Sequence, residues 1–221
     1  MKLVYSGMSH ILSFDGSYVS ELIVENKKLF FEMVNSMVAQ SNGMAGGCVL
    51  SVADKPVDFS KYADLTIQFA PFQVNRKSLL TKLYSVIEQK ALLAENYMQT
   101  VELLSKMEKY IFYLTEDFPF EIGCQKLAMG SIIRALAPEI EESNKSVLEK
   151  IFSYMELVRG LDRDRLFIMI NMRSYFTDMD MEEFIRSVCL HNFKMLLLSN
   201  VSESKLENTK RYIIDSDLCE F

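Results

Sequence analysis

The sequence predicts an α/β protein interrupted by an all-helical insertion. Three observations predict it: an apolar run, a helix and a second apolar run between Arg165 and Ser199; short strand-like and helical segments over the first 74 residues; and a stretch from Asn75 to Thr115 without Gly or Pro. Leu166–Asn171 (LFIMIN) is too short for a buried helix and lies between charged and polar residues, the pattern of a strand covered on both faces. Thr177–His191 sets Met181, Phe184, Ile185 and Val188 at helical spacing. Thr177 or Asp178 can cap that helix, and Asp180, Glu182 and Glu183 sit where its dipole favours acids. Phe193–Ser199 (FKMLLLS) is the second strand. Strand, helix, strand in this span is a right-handed βαβ crossover, and hence a parallel pair.

Leu3–Tyr5, Ile11–Phe14 and Tyr18–Val24 read as strands, with Asp15-Gly16 as a hairpin turn between the last two. Glu25–Gln40 reads as a helix stopped by Ser41–Gly47, Cys48–Val52 as a strand, Ala53–Asp64 as a polar connection and Leu65–Phe69 as a further strand. Asn75–Thr115 carries Leu79, Leu83, Ile87, Ala91, Ala94, Met98 and Val101 at helical spacing. As one helix it would be about 60 Å long at 1.5 Å per residue, and must project or bend back. Ile122–Leu136, ended by Pro138, and Ser143–Arg159, ended near Gly160, complete the helical part. The tail adds a short helix around Glu203–Arg211 and a strand at Tyr212–Ile214. The expected division is a discontinuous α/β head, residues 1–74 and 161–221, and a helical domain, residues 75–160.

A hydrophobic content of 49% suffices for a packed core and argues against disorder. Fourteen Met and no Trp fit gap-filling within that core. Cys48, Cys124, Cys189 and Cys219 form no CxxC pair, which argues against structural zinc; Cys48 and Cys189 lie in apolar patterns expected to bury them. No apolar run approaches membrane-spanning length and the first residues lack a signal-peptide pattern, so a cytoplasmic, reduced setting is expected.

A phosphate-cradling GxxxxGK[ST] loop needs a strand before it, a helix after it and a Lys. Gly43–Gly47 lacks the Lys and precedes a strand, so it reads as a helix stop. Leu166–Asn171 has the form of a metal-holding strand, but Asn171 stands where Asp is required, which argues against nucleotide hydrolysis. There is no GxSxG and no HExxH. His191 suits a helix C-terminus and His10 a strand; Asp178 and Asp180 belong to a helix start, and Asp162, Asp164, Asp215 and Asp217 read as solvated.

Charge sorting is more informative. The net charge of −6 disfavours nucleic acid unless cations are gathered on one face. Between Asp64 and Glu88 there is no acidic residue, while Arg76, Lys77 and Lys82 fall there. Lys27 and Lys28 open the first helix, and Lys55 and Lys61 occupy the loop before Leu65. Glu139, Glu141, Glu142 and Glu149 concentrate acid elsewhere. Two readings stand: a basic face for phosphates, or scattered surface lysines.

RDRLFIMINMRSYFTDMDMEEFIRSVCLHNFKMLLLSN, the terminal RYIIDSDLCEF, FAPFQVNRKSLLTKLY at Phe69–Tyr84 and SNKSVLEKIFSYMELV together resemble the Csn-two (Csn2) family, the CRISPR-associated protein peculiar to subtype II-A systems. The resemblance spans nearly the whole chain. It implies a P-loop-ATPase-like head without a working nucleotide site, carrying an inserted helical leg. It implies a non-enzymatic homotetrameric ring that encloses double-stranded DNA entered at free ends. The partners implied are the CRISPR integrase pair and the effector nuclease, in spacer acquisition. On this reading Lys27, Lys28, Arg76, Lys77 and Lys82 are the DNA-contacting candidates, on the charge argument alone. Family members also hold calcium with an acidic cluster. Thr115–Lys126 (TEDFPFEIGCQK) keeps only Glu116, Asp117 and Glu121 of it, too few for the six to eight oxygens calcium takes.

Overall fold

Runs that are apolar on both faces need cover on both faces. In the computed structural model of the chain, which describes residues 1–142 and 145–221, they form the centre of a parallel sheet. In chain order the first elements are β1 (Lys2–Tyr5), β2 (Leu12–Ser13), β3 (Val19–Val24), α1 (Lys27–Ser41), β4 (Cys48–Val52), β5 (Lys55–Val57), α2 (Phe59–Tyr62) and β6 (Ala63–Thr66). Helices α3 (Lys77–Ala91), α4 (Ala94–Thr115) and α5 (Met129–Leu136) follow. The chain closes with α6 (Val147–Leu161), β7 (Leu166–Ile170), α7 (Asp178–Leu190), β8 (Lys194–Ser199) and β9 (Thr209–Ile214). It divides into two compact units, Met1–Phe72 with Asn144–Phe221, and Gln73–Ser143.

In the first unit the large sheet has the order β6-β7-β8-β3-β9 with every pair parallel. β7 and β8 are neighbours joined through α7, so the predicted βαβ unit is present. Alternate residues serve opposite faces. Leu22, Val24, Ile168, Ile170, Leu196 and Leu198 join one apolar cluster with Met33 and Met37 of α1. Ile23, Phe167, Met169, Met195 and Leu197 take the opposite face and are equally buried. α7 packs beside β3 with Met181, Phe184, Ile185 and Val188 buried, started by a Thr177–Asp180 capping box. Among the described residues seven methionines are buried, Met33, Met37, Met155, Met169, Met172, Met181 and Met195, and can fill gaps there, while Met44, Met98, Met107 and Met179 are exposed.

The expected hairpin at Asp15-Gly16 does not form. β2 pairs with β1 in a separate antiparallel sheet of order β2-β1-β4-β5, and β3 crosses to the interior of the parallel sheet. The reason is burial: all six residues of β3 are buried, so it cannot lie in a half-exposed ribbon. Gly16 makes the crossing, with φ +93°, and a Cβ there would lie 2.7 Å from the Asn192 carbonyl oxygen. The polar connection Ala53–Asp64 also holds more structure than expected. Ala53 and Asp54 take positive φ, 48° and 60°, and close a two-residue β4–β5 hairpin; no Gly or Asn signals it. α2 and the start of β6 occupy the rest.

The long helix expected over Asn75–Thr115 is two helices. At Leu93 the backbone is extended, and the α3 carbonyls this frees are met from α4: Asn96 Nδ2 donates to Lys90 O and Thr100 Oγ1 to Ala91 O, both at 2.9 Å. The helix expected from Ile122 begins only at Met129; before it, the Leu127 amide donates to Glu108 Oε1 at 3.0 Å. Asn75 ties the two ends of this unit together, its Oδ1 accepting from Ile140 N at 2.9 Å and its Nδ2 donating to Ile140 O at 3.0 Å.

α6 falls in the first unit, where the sequence placed it in the insertion. Its expected start, Ser143, lies outside the described residues; the helix is capped by Ser146 with Glu149. It runs through Gly160 to Leu161. Its inward face explains the assignment: Tyr154 donates to Asp64 Oδ2 at 2.7 Å and meets Phe72 edge-on at 5.7 Å, and Phe152 meets Phe193 at 5.6 Å. No helix forms over 203–211; β9 begins at Thr209.

Cys48 is buried and its thiol is pushed up to about 12 by desolvation. Cys189 is only half-buried, less than its pattern suggested, because it lies near the exposed end of α7; its thiol is also raised by burial. Cys124 and Cys219 are exposed. Alkylation of the native protein near neutral pH, followed by mass spectrometry, is expected to label Cys124 and Cys219 first and to spare Cys48 until the chain is unfolded.

Candidate nucleic-acid interface

Open α/β sheets take ligands at the carboxyl ends of their strands, so that rim is the first place to examine. β3 passes to α1 through only Glu25 and Asn26, and Asn26 Oδ1 caps the helix by accepting from Leu29 N at 3.0 Å. No glycine loop stands there to cradle a phosphate. β7 ends at Ile170, followed by Asn171 with φ 52° and a turn of 3-10 helix, Met172–Tyr175.

That turn carries a residue which sequence reasoning did not single out. Arg173, whose side chain is 4% exposed, donates from Nη1 to Glu21 Oε1 at 2.7 Å, and Arg211 Nε donates to Glu21 Oε2 at 2.7 Å. Glu21 is itself 1% exposed, in the middle of β3. Arg173 Nη2 reaches Asp178 at 2.9 Å and its Nε lies 3.3 Å from Glu203. Arg173 and Arg211 also donate to the Ser204 carbonyl, at 2.8 and 2.7 Å. Burial opposes the charge on Arg173, but hydrogen bonds to Glu21 and Asp178 outweigh it and hold the guanidinium above its ordinary pKa. Two arginines thus face three carboxylates, and the cluster fastens residues 203–204 and the 3-10 turn onto the sheet. The available signal was a single charged residue, Glu21, in the six-residue strand VSELIV, which has to be paired if buried.

Other carboxylates read as solvated are also engaged. Asp162 accepts from Arg165 Nη2 at 2.5 Å, and Asp164 pairs with Lys194. Asp215 Oδ1 accepts from the Asp217 and Cys219 amides at 2.9 and 2.8 Å. His10 is in a loop, not a strand, with Nδ1 2.5 Å from Glu220 Oε2. His191 ends α7 as expected, its Nδ1 2.9 Å from Ser187 O.

The cations chosen from the sequence fall in two groups. Lys27 and Lys28 are exposed in the first turn of α1, in the first unit. Arg76 precedes α3, Lys77 is exposed at its first position, and Lys82 is half-buried one turn on, all in the second unit. Neither first turn contains an acidic residue. A lysine at a helix N-terminus opposes the dipole, so these residues cost local stability and make strongly positive spots. Lys61, by contrast, is 3.4 Å from Asp58.

Glu116, Asp117 and Glu121 are exposed around the end of α4 and beyond it. Among the described residues no group of three or more His, Cys, Asp or Glu side chains could hold a metal ion.

α4 has a further property. Of its 22 residues only Thr100 is buried, while Tyr97, Met98, Val101, Leu103, Met107, Tyr110, Ile111, Phe112, Tyr113 and Leu114 are all exposed. Contiguous exposed apolar surface of this kind is the sort that partner contacts cover.

Comparison with known proteins decides the family. The family model described as CRISPR-associated protein (Cas_Csn2) matches residues 40–218. The chain belongs to the Csn2 family. A curated relative, CRISPR-associated protein Csn2 of Enterococcus faecalis, is 21% identical over 147 residues, 66% of each chain, so the match spans just under two thirds of that relative. Among solved structures, Stu0660 of Streptococcus thermophilus is similar with a TM-score of 0.63, covering 97% of this chain and 74% of that one. At 13% identity, that likeness concerns the fold. Among the described residues of this Csn2-family chain no helix is long and apolar enough to cross a membrane.

Proposed function

We propose that this Csn2-family protein is a non-enzymatic, sequence-independent binder of double-stranded DNA ends, working as a homotetrameric ring in spacer acquisition in the cytoplasm. The observation that carries the reading is the placement of exposed Lys27, Lys28 and Lys77 at positive helix ends with no acid in either first turn. Phosphates are the ligand such cations suit, and contacts to phosphate carry no sequence information. The exposed apolar length of α4 supports self-association, because a second copy would cover it. The head is read as derived from a P-loop-ATPase-like ancestor that no longer binds nucleotide. The parallel sheet supports this, as does a β3–α1 connection of two residues where a phosphate loop would stand.

In this mechanism lysines and arginines hold the duplex backbone while closure of the ring prevents escape. Linear duplex is expected to be retained in gel-shift assays far better than covalently closed circles, with steep weakening as salt rises. Light scattering is expected to give a mass above that of a monomer. Equal retention of both DNA forms would overturn encirclement, and monomer alone at micromolar concentration would overturn the ring.

A second reading is an adaptor that works through protein contacts with the integrase pair and the effector nuclease and never touches DNA. The stacked, exposed Phe118 and Phe120, 5.6 Å apart beside the end of α4, favour it. Absence of any salt-sensitive shift of linear duplex, together with capture of those partners, would select it.

A further inference from the structure

Between α3 and α5, inside the second unit, runs a groove of about 510 Å³. α3 lines it with Lys77, Thr81, Ser85 and Glu88, spaced four, four and three residues apart and therefore on one face. At 1.5 Å per residue that face is about 16 Å long. α5 contributes Gly130 and Arg134. Lys77 and Arg134 are both exposed, so each can bring its charge to a bound ligand. Glu88 is the one carboxylate in the lining, and its carboxyl group lies so close over Gly130 that a Cβ there would push it aside. The groove therefore carries two cations, one acid close over the α5 backbone, and the Ser85 hydroxyl between them, while Thr81 Oγ1 donates to the Lys77 carbonyl at 2.8 Å.

We infer that the α3–α5 groove is a seat for one strand of a nucleic-acid sugar-phosphate backbone, with Arg134 acting with Lys77 as a phosphate-contacting residue. A face of about 16 Å leaves room for consecutive phosphates of one strand to meet the cation of each wall. The inference rests on the DNA-binding reading and names a residue that its charge argument did not reach, since Arg134 lies far from Lys77 in sequence. A purely structural Arg134 would complement the dipole at the end of α5 and affect only stability.

The two explanations separate by sign. Arg134→Gln is expected to weaken linear-duplex binding about tenfold near 0.1 M salt and to reduce the slope of log K against log salt by about 0.9, as Lys77→Gln does. Glu88→Gln is expected to strengthen binding, because it removes the opposing charge from the same groove. Duplex is also expected to protect Arg134 from phenylglyoxal. If the unmodified protein binds linear duplex and Lys27→Gln weakens it, but Arg134→Gln and Glu88→Gln leave affinity and salt slope unchanged, the groove is overturned and the DNA reading stands. If the unmodified protein shows no salt-sensitive binding, the DNA reading fails and this inference falls with it.

Discussion

Glu21→Gln is expected to destabilise the protein by about 3–5 kcal/mol, the loss typical when one partner of a buried ion cluster is removed. The substitution keeps shape and volume, so no cavity contributes. It leaves Arg173 and Arg211, 4% and 14% exposed, without the carboxylate that both meet at 2.7 Å. A lowered urea midpoint with an unchanged slope is the expected signature. Replacing Glu21, Arg173 and Arg211 together by apolar residues of similar size is expected to recover much of the loss, since it removes the orphaned charges too. A loss under about 1 kcal/mol for Glu21→Gln would mean that Asp178, Glu203 and water compensate the arginines. The same cluster adds acid sensitivity. Hydrogen bonds from Ser204 and Arg173 hold the Asp178 carboxyl below the usual range. A carboxyl with a depressed folded pKa contributes stability that is present above its unfolded pKa and lost as pH falls through the folded one.

Lys27→Ala, Lys28→Ala and Lys77→Ala combined are expected to lower affinity for linear duplex by roughly 10²–10³-fold near 0.1 M salt, about tenfold for each phosphate that is no longer neutralised. The salt slope should fall by up to about 0.9 for each lysine. Stability should move the other way. Removing a cation from the positive end of a helix relieves about 0.3–1 kcal/mol, so the variant is expected to melt no lower than the parent. Weakened binding with retained or improved stability is the outcome that marks these lysines as functional. Unchanged affinity would return them to scattered surface charge.

How far the sequence could reach depended on whether the deciding interaction was local. Leu166–Ser199 was legible because periodicity and capping residues lie within one segment: β7, α7 and β8 came out within a residue or two of the expected bounds, parallel and adjacent. α6 lies with the first unit and not with the helical insertion where its sequence pattern placed it, because its partners Asp64, Phe72 and Phe193 lie far away in sequence. The break between α3 and α4 left no mark of Gly or Pro; it shows only in Asn96 and Thr100 donating to α3 carbonyls.

The candidate interface divides in the same way. Lys27, Lys28 and Lys77 could be named from sequence, because a position in a helix's first turn is a local property. Arg134 could not, since only helix packing brings α5 beside α3. By itself the sequence determined the α/β class, the βαβ unit, the helical insertion and the lack of a phosphate loop, each written in the spacing of nearby residues. Tertiary structure alone decided that β3 leaves its expected hairpin for the sheet interior, that Glu21 joins two distant arginines, and that α4 stands largely uncovered. Those outcomes depend on which surfaces meet, and burial free energy is settled only when they do.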